Sequence, residues 1–354
     1  MSNKRIIHII DSLARGGAEM LLKNSVNNLP DWQHTIVYLF PVTDLVNEFK
    51  GDVSFICIDH KGWKGLLASV LKIKKIIKAQ KPELIHSHLL ISTICARLTI
   101  KKIPLVTTLH STYSVDAFEK NRLSVWVERL TIRSRDVLVG VSRFVLDDYL
   151  RFVPFKGKSF VLYNFLPDSF FHLQAQKENS YLKCVAIGNL KEAKNYPFLL
   201  DVFASLKNSG ISLDIYGEGA LRDQLQERID KEALPVKLCG KVKDVESILP
   251  SYNLFLQASI HEGFGISIIE AMAASLPVFI SDLPVFREIT GAHAHFFSLN
   301  DPALAAEKLK AFQTDISLRN KHVQQAYDHC RQHYSEKTYR KRLLEIYNDV
   351  TSQY

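Results

Sequence analysis

Residues 261–274 read HEGFGISIIEAMAA, and this stretch decides both the fold class and the location of the chemistry. An apolar run at residues 254–256 precedes it and predicts a buried strand. Gly263 and Gly265 let the backbone turn sharply after that strand. Beyond Ser267 apolar residues return at helical spacing, so the loop ends at a helix N-terminus. The free N–H groups and the dipole of such a terminus favour a phosphate.

Two carboxylates accompany this phosphate-binding loop. Glu262 lies just before the turn, and Glu270 lies about one turn into the helix. Carboxylates accept hydrogen bonds from the hydroxyls of a ribose or of a transferred sugar, so the pair suits a nucleotide sugar. For two glutamates taken alone, an exposed loop residue and an ordinary helix residue remain the alternative.

The whole stretch closely resembles the E-x7-E motif of retaining family-4 glycosyltransferases (glycosyl transferases group 1), which have the GT-B fold. The resemblance implies an α/β chain with two doubly wound, Rossmann-like domains that face each other across a cleft. It also implies transfer of a sugar from a nucleotide donor, most often a UDP-sugar, with retention at the anomeric carbon. Alternation of predicted strands and helices in both halves of the chain supports the same architecture.

Length and composition bound the protein class. A chain of 354 residues is long for one core and predicts two domains. Its 47% hydrophobic and 23% charged residues are typical of a soluble globular protein. No apolar run is long enough to cross a bilayer, and residues 6–10 are too short for the core of a signal peptide. Five scattered cysteines without a C-x-x-C pair fit reduced thiols, so we expect a cytoplasmic protein.

The net charge of +8 is concentrated in the first half, because residues 1–170 carry +9 and the remainder carries −1. An anionic membrane surface and nucleic acid are both candidate partners for a basic half, but no nucleic-acid motif supports the second. A helix is predicted at residues 62–80, with Lys72, Lys75 and Lys78 on one side. That side either contacts a membrane or is simply solvated. The apolar side is predicted to hold Leu66, Leu67, Val70, Ile73 and Ile77.

The first α/β unit consists of a strand at residues 5–10, a glycine loop and a helix. Gly16 and Gly17 can bring the backbone close to a ligand, although a tight turn alone is equally consistent with them. The Gly-Gly-x-Glu pattern is similar to the first loop of the same glycosyltransferases. That similarity implies that the loop faces the donor phosphates and the acceptor. Arg15 lies beside the loop in the sequence and is a second candidate cation.

Three histidines lie at the ends of predicted strands in this half. His86 and His88 point the same way on a strand at residues 82–88 and could ligate a metal, but the sequence indicates no third ligand nearby. A role at the strand end is therefore predicted for them, with no metal site. His110 follows the strand at residues 103–109, where open α/β sheets bind ligands. The resemblance implies that His110 lines the donor-sugar pocket.

The second half repeats the pattern of strand, loop and helix. After a strand at residues 182–187, Lys194 precedes a helix whose first turn contains Pro197, which makes an anion site. Many family members have an arginine where this chain has Asn189, so one phosphate contact is weakened. The segment at residues 217–222 begins like a dinucleotide fingerprint, but Arg222 replaces the third glycine. We therefore expect no nicotinamide or flavin and no other cofactor, the nucleotide sugar being a substrate.

The predicted organisation follows from these patterns. Residues 1–166 are expected to form an acceptor-binding Rossmann-like domain on which a final helix, residues 337–354, packs back. Residues 167–336 are expected to bind the nucleotide sugar, with a polar linker or insertion at residues 174–180. By resemblance, the catalytic residues are Glu262, His110 and Lys194, and the donor-binding residues are Gly16, Gly17, Asn189, Lys194, Val242, Gly263, Phe264, Gly265, Ile266 and Glu270.

The sequence also bears on whether a metal ion is used and on which partners the protein has. No D-x-D pair occurs in the sequence, so no metal is expected at the diphosphate. Family habit implies a glycan or lipid-linked acceptor in cell-surface polysaccharide synthesis, and a peripheral position on the inner face of the membrane is consistent with it. A sugar-nucleotide epimerase on the same fold and a non-catalytic nucleotide-sugar-binding module remain the alternatives.

Overall fold

A computed structural model describes residues 4–99, 102–115, 122–173 and 181–352, apart from the side chains of Trp63 and Arg122. Contacts divide the chain into two compact units. Unit 1 comprises Met1–Phe165 and Glu336–Tyr354, and unit 2 comprises Leu166–Ser335. The polar run at residues 174–180, predicted to be a linker or an insertion, lies outside the described residues.

The strands and helices alternate along both units. The strands are β1 (Arg5–Ile10), β2 (Gln33–Tyr38), β3 (Val53–Cys57), β4 (Leu84–His88), β5 (Leu105–Leu109), β6 (Val137–Gly140), β7 (Lys158–Val161), β8 (Leu182–Ile187), β9 (Ile211–Tyr216), β10 (Val236–Gly240), β11 (Leu254–Gln257), β12 (Val278–Ser281) and β13 (His295–Phe297). The helices are α1 (Gly17–Asn27), α2 (Leu66–Gln80), α3 (Leu90–Thr99), α4 (Arg122–Thr131), α5 (Arg143–Phe152), α6 (Tyr196–Ala204), α7 (Arg222–Glu232), α8 (Val245–Ile248), α9 (Ile266–Ala273), α10 (Pro284–Thr290), α11 (Pro302–Thr314), α12 (Ile316–Asn320), α13 (Val323–His333) and α14 (Glu336–Thr351).

Unit 1 is built on a parallel sheet with the strand order β3-β2-β1-β4-β5-β6-β7. One face of this sheet carries Ile7 and Ile9 and packs under Ile73 of α2 and Cys95 of α3. The opposite face packs under α1 through Leu22 and Val26. The last helix, α14, also covers this second face, because the Tyr347 hydroxyl bonds Nδ1 of His86 at 2.7 Å. Helices on both faces explain why β1, β2, β4, β5 and β6 are buried along most of their length.

Unit 2 repeats this arrangement with a parallel sheet in the order β10-β9-β8-β11-β12-β13. Its core joins α6, α7 and α11 to the strands through residues such as Phe203, Leu225 and Phe312. The prediction of two doubly wound α/β domains is confirmed. In each sheet the direction of strand succession reverses once, between β1 and β4 and between β8 and β11. Parallel sheets bind ligands beyond the carboxyl ends of the strands at such a reversal.

The element bounds differ little from the sequence prediction, and the local signals explain the agreement. Ser142 caps α5 as predicted, since its Oγ accepts a hydrogen bond from the N–H of Val145 at 3.1 Å. Pro197 lies in the first turn of α6, also as predicted. The three-residue strand β13 was not predicted, because its sequence is too short to show a period.

One side chain of α2 was placed wrongly. Leu67 was predicted on the apolar face but is 71% exposed, whereas Ile73 is fully buried. At about 100° per residue, Leu67 lies about 120° around the helix from Ile73, outside the buried stripe. Within the described residues, no helix combines the length and the apolar content needed to cross a membrane.

Candidate functional site

The predicted site in unit 2 lies where the strand order reverses. β8 and β11 are paired neighbours, with Val185 opposite Phe255, so the loops after them leave the same edge of the sheet. The N–H of Ile260 donates to the carbonyl of Ala193 at 2.9 Å and joins the two loops. Residues that are about seventy positions apart in the chain are therefore brought together at one edge.

Lys194 and Glu262 form an ion pair at this edge. Lys194 ends a short 3-10 turn, Glu192–Lys194, after β8, and Glu262 lies in the loop after β11. Lys194 Nζ is 2.5 Å from Glu262 Oε1, and the two side chains are 12% and 17% exposed. A charge pair so far removed from water is sensitive to the loss of either partner. The small remaining exposure leaves it accessible to a charged ligand.

Glycines at the strand ends allow the loops to pack this closely. A Cβ atom on Gly188 would lie 2.9 Å from Cε of Lys194, and one on Gly217 would lie 1.9 Å from the Gly188 carbonyl oxygen. The Tyr196 hydroxyl donates to that carbonyl at 2.8 Å and fixes the turn. Any larger residue at Gly217 would push the β8 loop, and with it Lys194, out of place.

The loop that contains Glu262 leads directly into the N-terminus of α9. Its N-cap, Gly265, has φ +107°, a left-handed conformation that favours glycine, and it has no side chain to cap the helix. A Cβ atom there would also lie 3.1 Å from Cε1 of Phe286. The first N–H groups of α9, starting at Ile266, are therefore not bonded by a capping side chain, and their contact with an anion stays a prediction.

The side chain of Phe264 is buried beside this terminus, whereas Gly263 is only half-buried. The Phe264 side chain is only 3% exposed and packs edge to face on Tyr334, with ring centroids 5.6 Å apart. Only the backbone of Phe264 can therefore contact a ligand, and its ring anchors the loop to the core. Gly263 is half-buried in the loop that connects Glu262 to this anchor.

Glu270 lies one turn into α9 with its side chain half-buried. The pKa of Glu270 is raised to about 7, mainly by burial and also by the nearby charge of Glu246, while Lys194 opposes the shift. The effect of Lys194 shows that both predicted glutamates lie within the field of the same cation. At neutral pH the Glu270 carboxyl therefore exchanges between its protonated and ionised forms.

Asn189 and Val242 were predicted to bind the donor from neighbouring loops. Asn189 is exposed after β8, and its carbonyl accepts a hydrogen bond from the N–H of Lys191 at 2.9 Å. Val242 is half-buried two residues after β10. Both lie beyond the carboxyl ends of their strands, and their contacts with a donor remain predictions.

In unit 1 the predicted glycine loop begins α1. Gly16 is the N-cap, and a Cβ atom on it would lie 2.4 Å from Oε2 of Glu19. Gly17 is exposed, with open space where a Cβ would be, so this side of the loop can accept a ligand. Arg15, the second candidate cation, forms an ion pair with Glu48 of the same unit.

His110 follows β5 and is half-buried. Its Nε2 lies 3.1 Å from Nδ1 of His88, so the two rings share a hydrogen bond. Burial lowers the pKa of His110 to about 3, and the imidazole is therefore neutral at physiological pH. A neutral ring in this position can orient a hydroxyl but does not supply a positive charge.

The histidine pair of β4 has a third neighbour that the sequence analysis missed. His8 of β1 lies directly opposite His86 in the parallel register of the two strands. One ring nitrogen from each of His8, His86 and His88 lies within 4.8 Å of the others. The expectation that no third ligand lies near the pair is wrong. The pairing of β1 with β4 in a doubly wound sheet was the signal that could have revealed it.

Comparisons with known proteins find similarity to glycosyltransferases over most of the chain. A model described as "Glycosyltransferase Family 4" matches residues 15–170, and one described as "Glycosyl transferases group 1" matches residues 169–329. The putative glycosyltransferase EpsF of Bacillus subtilis is 24% identical over 79% of this chain and 80% of its own length. The O-antigen biosynthesis glycosyltransferase WclY of Escherichia coli is 22% identical over 84% of this chain and 86% of its own.

Solved structures share the fold. The crystal structure of Anabaena HepE in complex with UDP and glucose has a TM-score of 0.82 and 18% identity, and it covers 97% of this chain and 99% of its own. At this identity the similarity establishes the fold, which is that of the GT-B glycosyltransferases.

Proposed function

The chain belongs to the group 1 glycosyltransferases of family 4, and on that premise we propose that it transfers a sugar from a nucleoside-diphosphate donor with retention at the anomeric carbon. The observation that carries the proposal is the Lys194–Glu262 ion pair beside the uncapped N-terminus of α9. The cation and the helix N-terminus suit a diphosphate, while the carboxylate suits the hydroxyls of a sugar.

The proposed reaction assigns a task to each of these groups. The bond between the anomeric carbon and the phosphate oxygen breaks, and its electron pair stays on that oxygen. The acceptor hydroxyl bonds to the anomeric carbon on the same face, and its proton passes to the leaving phosphate. Lys194 and the N–H groups after Gly265 stabilise the charge that develops on the diphosphate. Because Lys194 then turns to the phosphate, Glu262 is released to accept hydrogen bonds from the donor sugar.

Further contacts define the proposed donor. Glu270 accepts hydrogen bonds from the ribose hydroxyls in its ionised form, which is populated near neutral pH. His110 contacts the donor sugar through a neutral ring, the role that the family resemblance implies. Structures of HepE hold UDP and UDP-glucose, and this supports a uridine nucleotide as the carrier here.

The proposed acceptor is a glycan or a lipid-linked glycan of cell-surface polysaccharide synthesis, held by unit 1. The name of WclY, an O-antigen biosynthesis enzyme, supports this class of product. We place the enzyme in the cytoplasm, at the inner face of the membrane.

The surface of unit 1 supports that placement. α3 contacts both α2 and α4, so these helices form one layer. Leu67 and Leu71 of α2 and Leu123, Trp126 and Leu130 of α4 are exposed on the layer. The same helix α2 carries exposed lysines at positions 72, 74, 75 and 78. Apolar side chains flanked by lysines match the interface of an anionic bilayer.

A transfer assay tests the proposed function directly. Purified enzyme is given UDP-sugars and GDP-sugars with a lipid-linked acceptor extract, and free nucleoside diphosphate and the anomeric configuration of the product are measured. We expect diphosphate release that depends on the acceptor and a product with the configuration of the donor. Interconversion of donor sugars without release would identify an epimerase. Donor binding without any turnover would identify a binding module.

We further propose that no divalent ion bridges the diphosphate, since the sequence has no D-x-D pair and Lys194 supplies positive charge. Turnover should persist when EDTA is added at the start of the assay. The melting temperature is followed in parallel, so that loss of a structural ion elsewhere appears as lower stability. Immediate loss of turnover at unchanged stability, restored by Mg²⁺ or Mn²⁺, would contradict this proposal.

A further inference from the structure

Three histidines that the proposed reaction does not use meet inside unit 1. His8 on β1 and His86 and His88 on β4 lie on the sheet face that α1 and α14 cover. Their exposures are 1%, 4% and 3%. One ring nitrogen from each lies within 4.8 Å of the others, so small movements of the rings would bring them to the roughly 3.4 Å that separates ligand atoms in a tetrahedral zinc site.

Two of these rings have one nitrogen engaged and the other open. His8 Nε2 is bonded to His34 Nδ1 at 3.2 Å, and His88 Nδ1 is bonded to His110 Nε2 at 3.1 Å. The opposite nitrogens, Nδ1 of His8 and Nε2 of His88, have no hydrogen-bond partner among the described residues. Leaving a buried polar atom unpaired is costly, and such atoms in folded proteins call for an explanation.

We propose that His8, His86 and His88 bind one divalent transition-metal ion, with Zn²⁺ as the best match. Three imidazoles and an open fourth position form a common zinc ligand set, whereas Mg²⁺ and Ca²⁺ require oxygen ligands. Histidines that bind metals almost always have their second nitrogen held by another group. Here His34 holds His8, and His110 holds His88.

His86 completes the set by giving up one hydrogen bond. Its Nδ1 is bonded to the Tyr347 hydroxyl and its Nε2 to Oγ1 of Thr108, each at 2.7 Å. Either nitrogen can bind the ion while the other keeps its hydroxyl partner. Burial holds the pKa of His86 at about 3, so its ring is neutral and has a lone pair available at neutral pH.

The ion would also set the proton positions on the predicted sugar-contacting residue. A metal on Nε2 of His88 requires the proton of that ring to be on Nδ1, which then donates to Nε2 of His110. Because Nε2 of His110 accepts that hydrogen bond, the proton of its own ring must lie on Nδ1. The metal site would in this way fix the tautomer of His110 as well as join β1 to β4.

Metal content is the test, and it is independent of sugar transfer. The full-length chain is stripped with a chelator, loaded with Zn²⁺ or Co²⁺, desalted and measured by plasma mass spectrometry. We expect about one ion per chain and, with Co²⁺, the visible absorption of a tetrahedral site. His8→Gln and His88→Gln should each weaken binding at least about tenfold. His34→Gln should weaken it about 10- to 100-fold, because it removes a supporting hydrogen bond.

The matched control is His60→Gln. His60 is also buried and bonds Oγ of Ser69 at 2.9 Å, but it lies outside the cluster, so this variant should keep its metal. Less than about a tenth of an ion per wild-type chain, or equal binding by wild type and His88→Gln, would overturn the proposal. If His8→Gln does not fold, X-ray absorption spectroscopy of the zinc-loaded wild type identifies the ligands of the ion instead. Three imidazole ligands support the site, and sulfur ligation, as from the exposed Cys57, refutes it.

Discussion

At the scale of single residues, Lys194 has two negatively charged partners, one in the free chain and one in the proposed reaction. Glu262 holds its ammonium group at 2.5 Å in the free chain, and the proposed reaction requires the same group at the leaving diphosphate. Asn189 brings no charge, so Lys194 is the principal side-chain cation that we assign to the departing phosphate. The energetic value of that cation should appear mainly in the transition state, where the phosphate charge is largest.

We therefore predict that Lys194→Ala lowers kcat about 10²-fold or more, the scale for losing one oxyanion-type donor. Donor affinity should fall as well, since the bound diphosphate already carries charge. Steady-state kinetics with saturating acceptor measures both effects. Arg15→Ala is the control, because Arg15 is exposed and paired with Glu48, and its kcat should stay within a few-fold of wild type. The reverse ranking of the two variants would make Arg15 the principal cation.

Glu270→Gln should raise the stability of the protein at alkaline pH and lower its affinity for the donor. The pKa of Glu270 is about 7 in the folded chain against an ordinary 4.5, so the folded state holds a proton that the unfolded state has lost. The stabilising effect of that proton is complete below pH 4.5 and disappears as pH rises through 7. Glutamine never ionises, so the variant should be more stable than wild type at pH 8, by about 1–3 kcal/mol.

Donor affinity should move in the opposite direction in this variant, falling about tenfold with the loss of a charged acceptor. Chemical denaturation between pH 5 and 8 and titration calorimetry measure the two quantities. Glu246→Gln is the matched control, since it removes the neighbouring charge and should lower the pKa of Glu270 while leaving its carboxyl in place. Stability curves of wild type and Glu270→Gln that run parallel across this pH range would contradict the prediction.

Sequence reasoning at this scale succeeds where residues are close in the chain. The spacing of Glu262 and Glu270 and the N-cap role of Ser142 follow from local patterns. The ion pair of Lys194 with Glu262 and the approach of His8 to His86 depend on which strands are neighbours. Sequence periodicity does not contain that information, so these contacts were missed. The inward turn of the Phe264 ring was missed for the same reason.

At the scale of elements, α4 exposes the large apolar side chains of Leu123, Trp126 and Leu130 and buries a charged one. Glu128 is buried and accepts a hydrogen bond from Nη1 of Arg97 at 2.6 Å, whereas Trp126 on the same helix is 60% exposed. A helix that directs a carboxylate inwards and a tryptophan outwards gains little from burying its apolar residues in its own unit. Such an arrangement is typical of a surface that another apolar phase covers.

We predict that α2 and α4 contribute separable parts of membrane binding. Replacing Lys72, Lys75 and Lys78 with alanine should weaken sedimentation with anionic vesicles and remove most of its salt dependence, since each lysine contributes about 1 kcal/mol at low salt. Replacing Trp126 and Leu130 with serine should weaken binding equally at low and high salt, because the loss is hydrophobic.

The two sets of variants control each other, and neutral vesicles serve as the reference lipid. Binding by both variants at the wild-type level would remove this layer as a membrane surface. A wild-type dimer in solution that Trp126→Ser dissociates would assign α4 to self-association instead.

Helices and strands could be predicted where apolar residues recur at a regular spacing or where capping or turn residues mark an end. Elements without either feature could not be predicted. The strands of both sheets match the predicted segments closely because each is a short apolar run bounded by turn residues. Leu67 was misplaced because a helix rich in leucine presents apolar residues on more than one face. Sequence alone does not show which of these faces the sheet covers.

At the scale of the whole molecule, burial of neutral histidines predicts acid sensitivity. Burial lowers the pKa values of His86 and His110 to about 3, and it lowers those of His8 and His88 as well. The unfolded chain takes up these protons near pH 6.5 and the folded chain does not. Their contribution is therefore complete above about pH 6.5 and is lost as pH falls towards 3.

The free energy of unfolding should thus fall steeply between pH 6.5 and 4, by roughly 1 kcal/mol per pH unit for each such histidine. Denaturation in EDTA measures this slope without a metal contribution. His86→Gln should reduce the slope by about one proton relative to wild type. Equal slopes for the two proteins would show that this histidine cluster does not govern acid stability.

The position of α14 has a consequence for how the protein is made. Unit 2 is inserted in the sequence of unit 1, and α14 brings Tyr339 to Ser25 and Tyr347 to His86 only after residues 166–335 have been synthesised. Domains generally fold as units while the chain emerges from the ribosome, the N-terminal one first. Here the N-terminal unit cannot be completed first, because its last helix is synthesised only after unit 2. Until α14 has been synthesised, one face of the nascent sheet of unit 1 is partly uncovered. Chaperones would bind the chain in that state.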